Sequence, residues 1–227
     1  MTSNQLKLFA MLSMLVDHIG VLFLARTPYY LPARIIGRCA FPVFCFLLAE
    51  GFSHTSNRKR YVIRMAVFAL LSEVPFDLAF KGKVIEFSHQ NVFVTLALGL
   101  LLLMATDYCR TQIANQTQGM LLEAAAVLAA AGIAWVVRCD YSMMGVLLIY
   151  GIYTLKPYGK WYQFVYMAGI LLLDGGIEGY ACMAILPLAL YNGRYGVKSK
   201  MLQYGFYAFY PVHLLVLYNI IINLNYS

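Results

Sequence analysis

Long apolar runs alternate with short polar breaks along almost the whole chain, and they lay out as nine helices. The runs cover residues 6–25, 34–52, 61–80, 91–106, 119–137, 141–155, 161–173, 179–191 and 201–224. Gly, Pro and polar clusters separate them, as at 27–32, 53–60 and 192–200. One helical crossing of a bilayer takes about 20 residues, so most of the runs can span it. The sixth, seventh and eighth are short and suit a thin or partly re-entrant region. The pattern predicts an all-α polytopic integral membrane protein, a bundle of about nine transmembrane helices with eight to ten open. No internal repeat is visible, and residues 1–227 read as a single membrane domain.

Composition narrows the reading further. Of 227 residues, 62% are hydrophobic and 12% charged, against about 25% charged in an ordinary soluble domain. There are too few polar residues to build a soluble shell. The first 25 residues have one cation and no small-x-small cleavage site, and Asp17-His18 interrupts their apolar stretch. They are therefore expected to remain as the first transmembrane helix rather than act as a signal peptide. Cys39, Cys45, Cys109, Cys139 and Cys182 are scattered, odd in number and without CxxC spacing. They predict helix packing, with no disulfide framework and no metal site.

Lys and Arg set the orientation, because short basic loops stay cytoplasmic. With the N-terminus inside, eleven basic residues fall on the inner side and six on the outer. The inner set includes Lys7, Arg58, Lys59, Arg60, Arg64, Arg110, Lys156 and Arg194. The predicted topology is N-terminus cytoplasmic and, with nine helices, C-terminus outside. The net charge of +7 then belongs to inner loops facing anionic membrane lipids and implies no nucleic acid partner.

A charge in hydrocarbon costs roughly 2.5–3.5 kcal/mol on insertion scales, so an intramembrane ionisable group is a functional candidate. Asp17 and His18 lie deep in the first helix and His213 deep in the last. Arg38 and Glu50 lie toward opposite ends of the second, and Glu73 and Asp77 sit one turn apart around Pro75 on the third. The bland alternative is helix-to-helix pairing, for example Arg38 with Glu73 or Asp77. Lys7 and His18 are eleven residues apart, close to three helical turns, so they share a face about 16 Å apart along the axis. That suits a ligand with an anionic head at the cytoplasmic surface and a reactive end at mid-membrane. Histidine is the natural general base there. Asp17 points about 100° away from His18, which leaves Glu73, Asp77 or His213 as better orienting partners.

These segments, taken in order, resemble the TraX family of membrane proteins, named after a conjugative-pilin N-acetylase. They are Lys7…Asp17-His18-Ile19-Gly20, Ile36-Gly37-Arg38-Cys39-Ala40-Phe41-Pro42 and Leu48-Ala49-Glu50-Gly51-Phe52-Ser53-His54-Thr55. Ser72-Glu73-Val74-Pro75-Phe76-Asp77, Asn91-Val92-Phe93, Asp140-Tyr141, Tyr191-Asn192-Gly193 and Tyr210-Pro211-Val212-His213 follow. The resemblance runs from residue 5 to about 215 and is thin between 105 and 138. The family also looks related to the acyltransferase-3 group, whose first helix carries Arg or Lys, ten residues, then His. Lys7 and His18 match that pattern.

The resemblance implies a bacterial inner or plasma membrane acetyltransferase. Its donor would be acetyl-CoA from the cytosol, and its acceptor an amine, such as a pilin or peptide N-terminus, or a hydroxyl, as on a saccharide. Arg58, Lys59, Arg60, Arg64 and Arg194 would hold the cofactor's phosphates, with Lys7 at the entrance to its tunnel. His18, as general base or transient carrier of the acetyl group, would form the catalytic group with Asp17, Glu73, Asp77 and His213. Arg38, Glu50, Asn91, Asp140 and Tyr141 would bind the acceptor. A proton-coupled small-molecule transporter is the competing reading, because buried carboxylates and histidines also form proton relays. A non-catalytic assembly factor is the third.

Overall fold

A computed structural model describes residues 1–225. Its helices are α1 (Ser3–Phe23), α2 (Tyr30–Arg38), α3 (Ala40–His54), α4 (Arg58–Lys81), α5 (Val92–Gln112) and α6 (Gln116–Val137). α7 (Ser142–Thr154), α8 (Lys160–Asp174), α9 (Ile185–Ala189) and α10 (Lys200–Asn225) complete them. All nine apolar runs are helical, and no strand forms among the described residues. The stretches Ser3–Phe23, Tyr30–His54, Val92–Gln112, Gln116–Val137 and Lys200–Leu224 are long and apolar enough to cross a membrane. The all-helical membrane bundle is therefore the fold. Its outward faces are apolar: on α6, Leu121, Leu128, Trp135 and Val136 are all exposed, as expected of a lipid-facing helix.

Two runs depart from the simple pattern, each for a local reason. The second splits into α2 and α3 at Cys39. Pro42 lacks an N–H for the Arg38 carbonyl and its ring crowds that carbonyl, so the helix cannot continue through. In the first turn of α3 the same proline is tolerated. The eighth run forms a 3₁₀ stretch, Gly176–Ala184, that passes into the short α9. Gly175 just before it and Gly176 at its start have positive φ, 79° and 55°, which glycine adopts without strain. At the start of α1, Thr2 and Gln5 form a reciprocal capping box.

The described residues fall into two compact units. The first comprises Met1–Leu47, Leu70–Glu86 and the residues from Leu171 onward, and the second Leu48–Ala69 and Phe87–Ile170. In the second, α5, α6 and α7 enclose Leu102, Ala130, Ala134 and Val146. Gln90 N–H donates to the Arg138 carbonyl and Asp140 N–H to the Gln90 carbonyl, both at 3.1 Å. These bonds join the loops before α5 and after α6.

In the first unit α1 and α2 make the closest helix contact, and glycine permits it. A Cβ added at Gly37 would lie 2.2 Å from Asp17 Cβ, and one at Gly20 would lie 2.8 Å from Ala33 Cβ. Neither distance is physically available, so a side chain at Gly37 must force the helices apart. Gly37→Val is expected to destabilise the protein by about 1–3 kcal/mol or more, the range of overpacked cores. Gly132→Val, where an added Cβ meets nothing within 4 Å, should be near neutral. Thermal unfolding in detergent distinguishes the two.

Candidate functional site

His18 and His213 meet in the first unit, although 195 residues separate them. His18 Nδ1 lies 2.7 Å from His213 Nε2. The ring planes differ by 7° at a centroid separation of 4.9 Å. That separation is what two imidazoles joined nose to nose by one hydrogen bond require. Only 9% of His18 and 6% of His213 is exposed.

The hydrogen bonds assign the tautomers. His213 Nδ1 lies 2.8 Å from the Phe209 carbonyl, which can only accept, so Nδ1 carries the proton. In the neutral ring His213 Nε2 is then an acceptor, and His18 Nδ1–H must donate to it. His18 Nε2 is left with its lone pair, the state a general base needs. Pro211, two residues before His213 in α10, supplies no helical N–H. Aromatic rings surround the pair: Phe80 meets His18 edge-on at 5.1 Å. Tyr210 lies 6.1 Å from His18 and 5.7 Å from His213.

Asp17, the neighbour of His18, belongs to a different network. Arg34 Nη1 donates to Asp17 Oδ2 at 2.6 Å and Arg38 Nη2 to the same oxygen at 2.8 Å. Arg38 Nη1 donates to Glu178 Oε1 at 2.7 Å. Arg38 thus pairs with Asp17 and Glu178. Asp77, fully buried, accepts the Glu86 backbone N–H at 2.7 Å and closes the turn after α4. Glu73 lies one turn before it, partly buried. The orienting partner of His18 is His213.

Near the start of α1, Lys7 Nζ sits 4.7 Å from the Tyr195 ring centroid and 5.1 Å from that of Phe206. Ser3 N–H donates to the Arg194 carbonyl at 2.9 Å, which holds the 192–199 segment against the first turn. Lys7 and Arg194 are therefore brought to one end of the first unit.

The remaining candidates lie in the second unit. Arg58 pairs with Asp107 and lies 4.6 Å over the Phe52 ring. Lys59 and Arg60 are exposed, and Arg64 lies 5.2 Å over the Tyr61 ring. All four stand in the first two turns of α4, where cations add to the positive end of the helix dipole instead of offsetting it. Such a terminus favours an anion. Glu50 pairs with Lys156 at 2.8 Å. Asn91 is fully buried: its Oδ1 caps α5 at Phe93 N–H, 3.0 Å, and its Nδ2 donates to the Ala69 carbonyl at 2.9 Å. Both ends of this amide serve the fold. Asp140 lies 3.6 Å from His89 and its carbonyl accepts from Thr95. Tyr141 has a positive φ of 59°, which marks a strained joint for a non-glycine residue.

The family model described as "TraX protein" matches residues 2–221. This chain belongs to the TraX family. A TraX relative from Dichelobacter nodosus, named "Probable fimbrial assembly protein FimC, serogroup H1", is 28% identical over 94% of this chain and 93% of its own length. An uncharacterized protein of Rickettsia prowazekii (strain Madrid E) is 32% identical over 41% of this chain and 33% of its own. No solved structure matches the chain. In this TraX chain, sequence reasoning passed over Arg34, Glu178 and Phe80. Arg34 and Arg38 are one turn apart, so their shared face was a usable signal. Glu178 and Phe80 gave none, since only the packing brings them to α2 and α1.

Proposed function

We propose that this protein is a membrane acyltransferase that passes an acetyl group from cytosolic acetyl-CoA to an amine or hydroxyl at the membrane or its outer face. The observation carrying this reading is the buried His18–His213 pair, which leaves a lone pair on His18 Nε2 three turns along α1 from Lys7. The residues present fit the donor's chemistry. Lys7, set against two aromatic faces, and Arg194 offer charge to an anionic head. Acetyl-CoA would supply an activated thioester.

His18 Nε2 accepts the proton of the acceptor N–H or O–H as the new bond to the acyl carbon forms. It returns that proton to the sulfur as the carbon–sulfur bond breaks, so the protein ends unchanged. His213 holds His18 in the required tautomer throughout. The aromatic surround keeps water, a competing acceptor, away from the reacting atoms.

The name of the Dichelobacter nodosus relative points to fimbrial assembly, which supports a pilin or other peptide amine as acceptor, with a saccharide hydroxyl as the other class. Purified protein in detergent, given acetyl-CoA and a peptide with a free N-terminus, should release CoA thiol only when the peptide is present. Mass spectrometry should find the peptide heavier by one acetyl group. No release with any amine or hydroxyl, together with proton-dependent solute uptake into proteoliposomes, would replace this reading with the transporter.

A further inference from the structure

We infer that Phe80 sets the size of the acyl group this site accepts. The inference rests on the acyltransferase reading and adds a selectivity to it. Three rings lie against His18: His213, Tyr210 and Phe80. His213 and Tyr210 are buried, 6% and 3% exposed, while Phe80 keeps intermediate exposure. Of these three rings, Phe80 is the one that also reaches the outside of the packed helices. Lys7 stands near the opposite end of α1, three turns before His18. A donor whose anionic head lies at Lys7 and whose carbonyl reaches His18 directs its acyl tail onward, where the last turn of α4 carries Phe80.

Phe80 is also held in place. Phe76 packs against it with ring centroids 5.1 Å apart, and Asp77 fixes the following turn through the Glu86 N–H. A fixed ring beside His18 would meet each methylene added to the acyl group with a clash. A hydrophobic wall of this kind discriminates by about 10–200-fold per methylene.

The test uses acetyl-, propionyl- and butyryl-CoA with the full chain in detergent, reading both transfer to a peptide amine and displacement of labelled acetyl-CoA. In the native protein, transfer and displacement should fall by about 10-fold or more per methylene. Phe80→Ala should bring butyryl-CoA to within a few-fold of acetyl-CoA in both measurements, and Phe80→Leu should fall between. Phe80→Leu also serves if the alanine variant does not fold. If the variants keep the native preference for acetyl, Phe80 is not the selector, while acyl transfer itself stands. If the native protein accepts butyryl-CoA as well as acetyl-CoA, the inference also fails. If it neither binds nor uses any thioester, the acyltransferase reading falls first, and this outcome is distinct from the other two.

Discussion

His18→Gln is expected to abolish acetyl transfer while the protein still inserts, purifies and unfolds at nearly the native temperature. Glutamine can keep a hydrogen bond to His213 Nε2 but has no nitrogen that can take up a proton at neutral pH. Losing one positioned acid–base group costs about 10²–10⁴ in rate, far more than a small packing change. His213→Gln should behave differently. Its side-chain oxygen can accept from His18 Nδ1–H as the native ring does, so a substantial fraction of activity should survive, with a displaced pH profile for kcat/KM. Rates for both variants between pH 5.5 and 9 check this pair of expectations. An active His18→Gln beside a dead His213→Gln would move the chemistry to α10. Two active variants would remove the histidine mechanism.

Asp17→Asn should act on stability rather than on the chemical step. Asp17 is the carboxylate shared by Arg34 and Arg38, at 2.6 and 2.8 Å, and the Asp17 and Arg38 side chains are only 8% and 10% exposed. Removing one partner of a buried pair leaves an uncompensated charge and typically costs about 3–5 kcal/mol. Asp17→Asn should therefore lower the unfolding midpoint strongly, and the folded fraction should retain transfer. Replacing Asp17, Arg34 and Arg38 together with apolar residues of similar volume should recover much of the loss, because the bare charges go with their partner. Denaturant titration of the single and triple variants measures both. A single variant as stable as the native protein would show that Asp17 is not the keystone of the network.

Much of this was legible in the chain. The nine apolar runs all became helices, because a helix in lipid is dictated by local composition and backbone satisfaction. The Lys7 to His18 spacing and the Tyr210-Pro211-Val212-His213 segment marked the two histidines by depth and periodicity. The breaks at Pro42 and at Gly175-Gly176 were visible as residues, yet their effect depends on neighbouring turns. The pairing of Arg38 could not be read, because helical periodicity gives the direction of a side chain and says nothing of what packs there. Asn91 shows another limit: the motif marks a buried polar residue but not the two backbone groups its amide holds. Glu50 and Arg58 are similar, each bound to a charge, Lys156 or Asp107, that lies far away in sequence.

The adjacency of Asp17 and His18 has a consequence for how α1 finds its seat. Most of the surface of this helix is interchangeable grease, which would let it settle at several rotations about its own axis with little difference in energy. A rotation by one residue, about 100°, would turn the carboxylate toward the His213 lone pair in one sense, or the imidazole toward two guanidinium groups in the other. Both placements are repulsive or unsatisfied, and the native one satisfies both at once. Two neighbouring polar residues thus act as a key cut on two sides, admitting α1 in a single rotational register. The residue that performs the chemistry also helps ensure that its own helix is seated correctly.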